Sequence, residues 1–477
     1  MRPDIDKLRV SSREADRRTI VKMVYIILIF IVFEGALRKW VFVFPVAQKL
    51  IIFLRDPLVA AVYIFAISKG RMKASPFVIA PVFGLFGILF IVILQIFTSP
   101  NPPVPILIMY ALRNYLLYVP LVQVIRDNFE SRDVVGSIKI VMIGALISAP
   151  LMVLQSWFPP DSPINQGFGA DEETMFENLG LAEGLVRGTG LFTSSAGNGL
   201  FSTVVFASVL GMLSGRHHLF RQNRKLLSFG MLAAVVIILY CGSRSVLFMV
   251  PVVLLGAVVG TAMSGRGLVA TKIVLVAAMF AALVAIVMIY IVPERLDAYM
   301  VRFTEADYYE SSEYQLGTFG RILGTFTNVF ALADRVPFFG YGAGYGTNAA
   351  VILGYIPLSL SAESDWDRHV YDLGMIGWFA VALFRIWMTG WLGWRCLLAA
   401  KLPEGTLAMT LYSAIAVTAL SGQLVGQNSI NGLGWFAIGL CAAASSKRQV
   451  VRSASAKDMH RTYKGLPRLG GAGVAES

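Results

Sequence analysis

The chain has 477 residues, 56% of them hydrophobic and 15% charged, with a net charge of +12 and a mean hydropathy of +0.67. A soluble domain of this length has no use for so much apolar surface, and long unbroken apolar runs exclude an outer-membrane barrel, whose spans are short and alternating. The excess positive charge lies between the apolar runs, so it reads as a membrane-topology signal that also favours anionic lipid, and not as a nucleic-acid surface.

The expected fold class is an all-α polytopic membrane protein with about twelve transmembrane helices. Apolar runs long enough to cross a hydrocarbon core of roughly 30 Å lie near 20–37, 50–67, 76–97, 106–125, 134–157, 191–214, 226–242, 245–264, 272–292, 371–394, 406–425 and 430–446. Glu34, Arg38, Lys39, Arg55 and Asp56 interrupt the first two. They suggest a broken first hairpin held by an ion-pair network, with 34–56 re-entrant or interfacial. Within the other spans charge is scarce, Arg113 being the main exception.

Basic residues recur in alternate loops: Lys69–Lys73, Arg126–Arg132, Arg216–Lys225, Arg266–Lys272, Arg395–Lys401 and the tail from Lys447, besides Arg2 to Lys22 at the start. Twelve spans put all of them on one side. The positive-inside rule then makes both termini cytoplasmic and leaves the long loops 158–190 and 293–370 outside. Residues 1–446 read as one transmembrane domain. The basic, Gly/Ala/Ser-rich tail 447–477 has the composition of a disordered segment. The first apolar run has no small-residue cleavage site of a signal peptide. Cys241, Cys396 and Cys441 have neither disulfide-framework nor metal spacing, and no metal or other cofactor is expected. No internal repeat of the transporter kind stands out.

Candidate chemistry gathers in the external segments. Arg244 sits in YCGSRSVLF, a hairpin too short to let it wander. Arg187 precedes Gly188 and Gly190 where the first long loop returns to the membrane, with Ser194 and Ser195 placed to cap the next helix. Arg321 lies in LGTFGRILGTFTNVF, whose Phe319, Ile322, Leu323 and Phe326 predict an amphipathic helix along the outer surface. Three external arginines suit a lipid phosphate or diphosphate, because a planar guanidinium binds two oxygens at once. They can also neutralise a phosphate leaving group without a metal. The densest external charge cluster is Glu363, Asp365, Asp367, Arg368, His369 and Asp372. Glu363 is its best general base, with His369 as rival, and Asp365, Arg368 and His369 are candidate substrate-binding groups. The Gly340–Gly346 stretch lacks the preceding strand and the following Lys-Ser/Thr of a nucleotide loop. A tight loop packing the floor of the site, through Gly342 and Gly344, is the expectation.

In order and topology these segments resemble the O-antigen ligase and polymerase superfamily of lipid-linked glycan transferases, over roughly residues 180–446. Phe319-Gly320-Arg321 resembles the family's Gly-Arg. Val336-Pro337-Phe338-Phe339-Gly340-Tyr341-Gly342-Ala343-Gly344 resembles its Gly-rich stretch, and Gly374-Met375-Ile376-Gly377 its Gly-x-x-Gly. Ser243-Arg244 and Arg187-Gly188-Thr189-Gly190-Leu191-Phe192 resemble two earlier motifs. Glu363-Ser364 stands where the ligases have His, which is more similar to the polymerase or exopolysaccharide branch.

The resemblance implies a GT-C-like fold with a large external loop carrying amphipathic helices, in a bacterial inner membrane. It implies a polymerase that moves a glycan from polyprenyl diphosphate to a sugar hydroxyl on the periplasmic face without a metal. Glu363, Arg321 and Arg244 would be catalytic, and Arg187, Asp365, His369, Arg368, Gly342 and Gly344 would bind substrate. The implied partners are a polyprenyl-diphosphate-linked glycan donor, a glycan acceptor, membrane lipid and a chain-length regulator, with no nucleic acid. The alternatives are an O-antigen ligase joining the glycan to lipid A-core or protein, and a transporter or flippase for a lipid-linked glycan.

Overall fold

Among the described residues four α-helices open on proline, which is preorganised for the first helical turn and has no N–H to leave unpaired there: Pro45, Pro76, Pro105 and Pro293. Others begin at side-chain caps. Glu130 and Asp133 cap each other's backbone ahead of the helix from Ser131, and Ser194 Oγ accepts from Gly197 N as expected. The computed structural model describes residues 2–42, 44–101, 103–165, 185–215, 218–290, 292–313, 317–347, 350–351, 353–355, 364–402 and 405–446. Among them all regular structure is helical. In order these are α1 Arg2–Ala36, α2 Pro45–Ser68, α3 Pro76–Thr98, α4 Pro105–Leu112, α5 Val119–Asn128, α6 Ser131–Trp157, α7 Ser195–Ser214, α8 His218–Gln222 and α9 Arg224–Tyr240. They continue as α10 Arg244–Met263, α11 Gly267–Tyr290, α12 Pro293–Glu313, α13 Gly317–Leu332, α14 Asp365–Ala399, α15 Gly405–Leu420 and α16 Asn428–Ala444. Two π-helical turns, Leu37–Val41 and Arg113–Leu117, interrupt the series.

Among the described residues eight helical stretches are long and apolar enough to cross a membrane: Ser11–Val41, Pro76–Thr98, Pro105–Asn128, Ser131–Trp157, Ser195–Ser214, Arg244–Met263, Gly267–Tyr290 and Asp365–Ala399. This defines a multi-pass α-helical membrane protein. The four other expected spans are helical too. Three are short, at 17, 16 and 17 residues for α9, α15 and α16, and α2 carries Lys49, Arg55 and Asp56.

Packing grades from centre to rim. α7 is the axial helix, with 89% of its apolar window buried against α6, α9, α10, α15 and α16. α11 is the opposite case: only 6% of its window is buried, and Val274, Leu275, Val276 and Met279 face outward. In a membrane protein such residues meet lipid tails.

One end of the bundle gathers the basic loops. There Arg17 pairs with Glu14 and Asp133, Lys69 with Asp16, and Lys73 N donates to Asp127. Arg266 reaches Thr406 Oγ1, and Arg395 reaches Ser445 O. The candidate residues lie toward the other end.

α14 is not one rod. Gly374 breaks it with φ +66° and ψ −170°. Arg385, beyond the break, pairs back onto Asp365 at 3.2 Å, so the Asp365–Leu373 limb folds against the longer limb. This limb begins nine residues before the break, earlier than the apolar run at 371–394, because Ser364 Oγ caps it by accepting from Asp367 N. α13 matches the amphipathic helix expected around Arg321. It lays Phe326 and Phe330 edge-on against Trp366 and Trp378 of α14.

Candidate functional site

The Arg187–Gly190 segment is held from three directions. Gly188 N donates to Tyr240 O at 2.9 Å, tying the segment to the turn between α9 and α10. Thr189 N and Gly190 N both donate to Gln155 Oε1 of α6. Lys39 Nζ donates to Gly190 O at 2.6 Å and to Thr189 Oγ1 at 3.0 Å. Gly190 has φ +55°, and a Cβ there would stand 2.0 Å from Ser148 Oγ, so this close approach requires glycine. The result is a fixed backbone from which a half-buried Arg187 projects, its Nε making no hydrogen bond.

Arg244 opens α10 four residues beyond Tyr240 and is also half-buried, its guanidinium over the Phe303 ring at 5.8 Å. Two of the three expected arginines therefore sit on backbone segments that meet at the Tyr240–Arg244 turn. Helix α12 lies across that turn. Arg295 stacks on the Tyr240 ring at 4.0 Å, Tyr299 Oη donates to Leu239 O, and Phe303 meets Phe248 edge-on. Positions 295, 299, 302 and 303 follow helical spacing and share one face.

A second polar layer stands beside this one. Asp365 accepts from Arg368, from Arg385 and from the backbone N–H groups of Val425 and Gly426. Tyr115, in the π-helical turn, contacts His369 Nδ1 at 2.9 Å and donates to Asp372 at 3.0 Å. Gly346 N also donates to Asp372, and Arg385 Nη1 lies 3.4 Å from His369 Nε2. Arg113, two residues before Tyr115, pairs with Asp56 and donates to Asn428 Oδ1; Arg55 pairs with Glu34 at 2.9 Å. The interrupted first hairpin is thus held by an ion-pair network, as expected.

These contacts correct one expectation. Asp365, Arg368 and His369, expected in the external loop 293–370, lie on helix α14. They are buried, and their polar atoms are taken up by neighbouring protein groups. Within the later spans Arg385 is a further exception beside Arg113, and with Arg55, Asp56 and Asp365 the two occupy one polar belt. A buried ionised group is tolerated when paired and hydrogen-bonded, which is how each of these is held.

The Gly-rich stretch packs tightly, as expected. Gly340 has φ +83° and lies against Gly374; a Cβ on Gly344, at φ +90°, would come within 2.3 Å of Leu107 O. Gln95 fastens the stretch by donating to Phe339 O and Asp372 O while accepting from Ala343 N. Gly342 carries φ +150° beneath the Tyr345 ring. Arg321 falls on α13, and its side chain lies outside the described set; Glu363 lies outside the described residues. Among the described residues no group of three or more His, Cys, Asp or Glu could hold a metal ion.

Sequence reasoning missed Arg385, Arg295 and Arg302. Arg385 could have been found, since a lone arginine inside the apolar run FRIW is a functional or structural signal in itself. Arg295 and Arg302 could not, because their importance comes from a turn more than fifty residues upstream. No protein-family model matches this chain, and comparison with curated proteins finds no match. Fold and site together define a multi-pass helical membrane protein with an arginine-rich surface toward the end away from its basic loops.

Proposed function

We propose that the protein is a metal-independent membrane glycosyltransferase, a polysaccharide polymerase working on a glycan carried by polyprenyl diphosphate. The observation behind this reading is the meeting of the Arg187 and Arg244 segments at the Tyr240 turn, with the Arg187 Nε left without a hydrogen bond. In the proposed reaction the prenyl tail lies among the helices and its diphosphate is held by Arg187 and Arg244, with Arg321 completing the set. Glu363 takes the proton from an acceptor hydroxyl as its oxygen bonds to the anomeric carbon. The bond from that carbon to the diphosphate oxygen breaks, and the polyprenyl diphosphate departs with the electron pair, its charge met by arginine. Direct attack inverts the anomeric centre. The site faces the periplasm when both termini are cytoplasmic, as the loop charges imply.

The test is the length distribution of surface polysaccharide in cells carrying Glu363→Gln or Arg244→Ala at matched protein levels. Loss of a central electrostatic contact costs about 3 kcal/mol, or roughly a hundredfold in rate, so polymer should collapse to single repeat units in both. Normal chain lengths in both end the proposal. An O-antigen ligase would use the same donor site, and the acceptor separates it: lipid A-core or protein should carry the product.

The buried belt of ion pairs at helix breaks gives one observation for a second reading, a lipid-linked glycan transporter, whose polar groups sit at interrupted helices. Purified protein in sealed vesicles separates the two. A transferase makes a larger glycan from the labelled donor, and a transporter moves the donor across the bilayer unchanged.

A further inference from the structure

The cations on α12 have no place in the reading above, yet both hold buried donors without a hydrogen bond. Arg295 is 5% exposed, and both its Nη1 and Nη2 are buried without a hydrogen bond. One face of its guanidinium is covered by Tyr240. No carboxylate among the described residues approaches it: Glu294 and Asp297, its acidic neighbours in sequence, are exposed, and Arg295 forms no ion pair. Burial holds this guanidinium below its ordinary pKa, with only Tyr240 and Tyr299 opposing. Two turns further on, the half-buried Arg302 has its Nη1 buried and without a hydrogen bond. Burial lowers that group as well, against the single opposing charge of Glu305.

A protein seldom leaves a buried arginine with unmade hydrogen bonds, because the desolvated donors are costly. Arg295 stacks on Tyr240, Arg302 shares its face of α12, and Arg187 precedes the glycine whose N–H donates to Tyr240 O. An aromatic platform under one face leaves the N–H edges as the recognition surface, and that edge geometry matches tetrahedral oxyanions. Several guanidinium groups in one place call for a ligand with more than one negative charge. The position, where α11 leaves the apolar layer, is where a lipid headgroup would sit.

We propose that Arg295, stacked on Tyr240, and Arg302 form with Arg187 a diphosphate-binding clamp in which α12 is the upper jaw. This rests on the donor assignment made above and adds two binding residues to it. The Nη atoms are covered in this structure, so the ligand enters as α12 lifts or Arg295 turns off the Tyr240 ring. α11, which packs only against its chain neighbours α10 and α12 in any substantial way, gives α12 that freedom.

The experiment uses the full chain in lipid nanodiscs, with a short prenyl diphosphate as the probe and thermal stabilisation and equilibrium binding as readouts. Wild-type protein should be stabilised by the probe. Arg295→Gln and Arg302→Gln should each weaken binding by about tenfold or more, the loss expected when a charge-assisted hydrogen bond is removed. Arg295→Lys, which keeps the charge and loses the fork, should fall between. If Arg295→Gln is not recovered folded, Arg295→Lys and Arg302→Gln carry the test. Unchanged affinity in every folded variant overturns the clamp.

Inorganic pyrophosphate competing for the site supports it and locates recognition in the diphosphate. Competition by phosphatidylglycerol but not by pyrophosphate overturns it, since the site would then hold bulk lipid headgroups. Glu363→Gln separates the two proposals. If that variant and Arg244→Ala both make normal polymer while Arg295→Gln loses the probe, the transfer reading falls and the clamp stands.

Discussion

At Gly374 the backbone runs through φ +66°, and the place a Cβ would occupy is 2.0 Å from Phe338 O. Both facts forbid any other residue, because an L side chain in this region is strained even in open space. Gly374→Ala is expected to cost at least about 2 kcal/mol. It should be read as a lower melting temperature and a smaller monodisperse fraction in detergent, with Gly390→Ala as the control, since nothing lies within 4 Å of that position. The Gly-x-x-Gly pattern was visible in the sequence, but as the opening of a span. That the first glycine is the corner between two helical limbs was not visible, because the short limb's residues, DWDRHVYDL, read as a charged loop until their partners are known. Asp365 and Arg385 are twenty positions apart and meet only through that corner.

Helices that carry the candidate site are anchored by elements whose own sequence looks unremarkable for the purpose. The π-helical turn Arg113–Leu117 presents Arg113, Asn114 and Tyr115 to three neighbours at once: Asp56 on α2, the Val425 carbonyl between α15 and α16, and His369 on α14. Extra π turns within helices commonly occur where side chains must be re-aimed. The Asp365 pair with Arg385 holds the two limbs of α14 together, and Arg385 also donates to Thr418 O, Ala419 O and Gly422 O at the end of α15. Arg385→Ala leaves Asp365 buried with one guanidinium fewer and three carbonyls with one donor fewer. Breaking a buried pair costs roughly 3–5 kcal/mol, so this variant should unfold well below wild type. Asp365→Asn removes the carboxylate shared by Arg368 and Arg385, so it should destabilise at least as much as Arg385→Ala. Thermal unfolding of both purified variants checks this; a clearly smaller loss in Asp365→Asn would mean the two guanidinium groups do not depend on that carboxylate. The spans themselves were legible as apolar runs, and the Ser194 cap and the α13 amphipathic helix could be read from spacing alone. The Asp365–Arg385 part of the belt could not, since its partners come from separate stretches that meet only in the fold.

Across the whole molecule the two ends differ in chemistry. One end gathers the short basic loops, where Arg17, Lys69, Arg266 and Arg395 have partners, and the arginine-rich turn lies toward the other. The proposed orientation, drawn from the positive-inside rule, puts the basic end in the cytoplasm. Reporter fusions after Ser446 should therefore be active only as cytoplasmic reporters, and insertions within 166–184 only as periplasmic ones. The opposite pattern would put the arginines on the wrong face for a periplasmic transfer. Composition and loop charge announced this polarity, but not which arginines share a turn. That depends on α12 crossing back over the α9–α10 hairpin, a tertiary placement with no local signature.

The bareness of α11 carries a last implication. A span with 6% of its apolar window against protein has almost nothing but hydrocarbon to set its tilt. Whatever angle the surrounding acyl chains impose is passed through Tyr290 and Pro293 to the helix bearing Arg295. Bilayer thickness thus becomes a mechanical input to the height of those guanidinium groups above the Tyr240 ring, set by the lipids and not by any contact within the polypeptide.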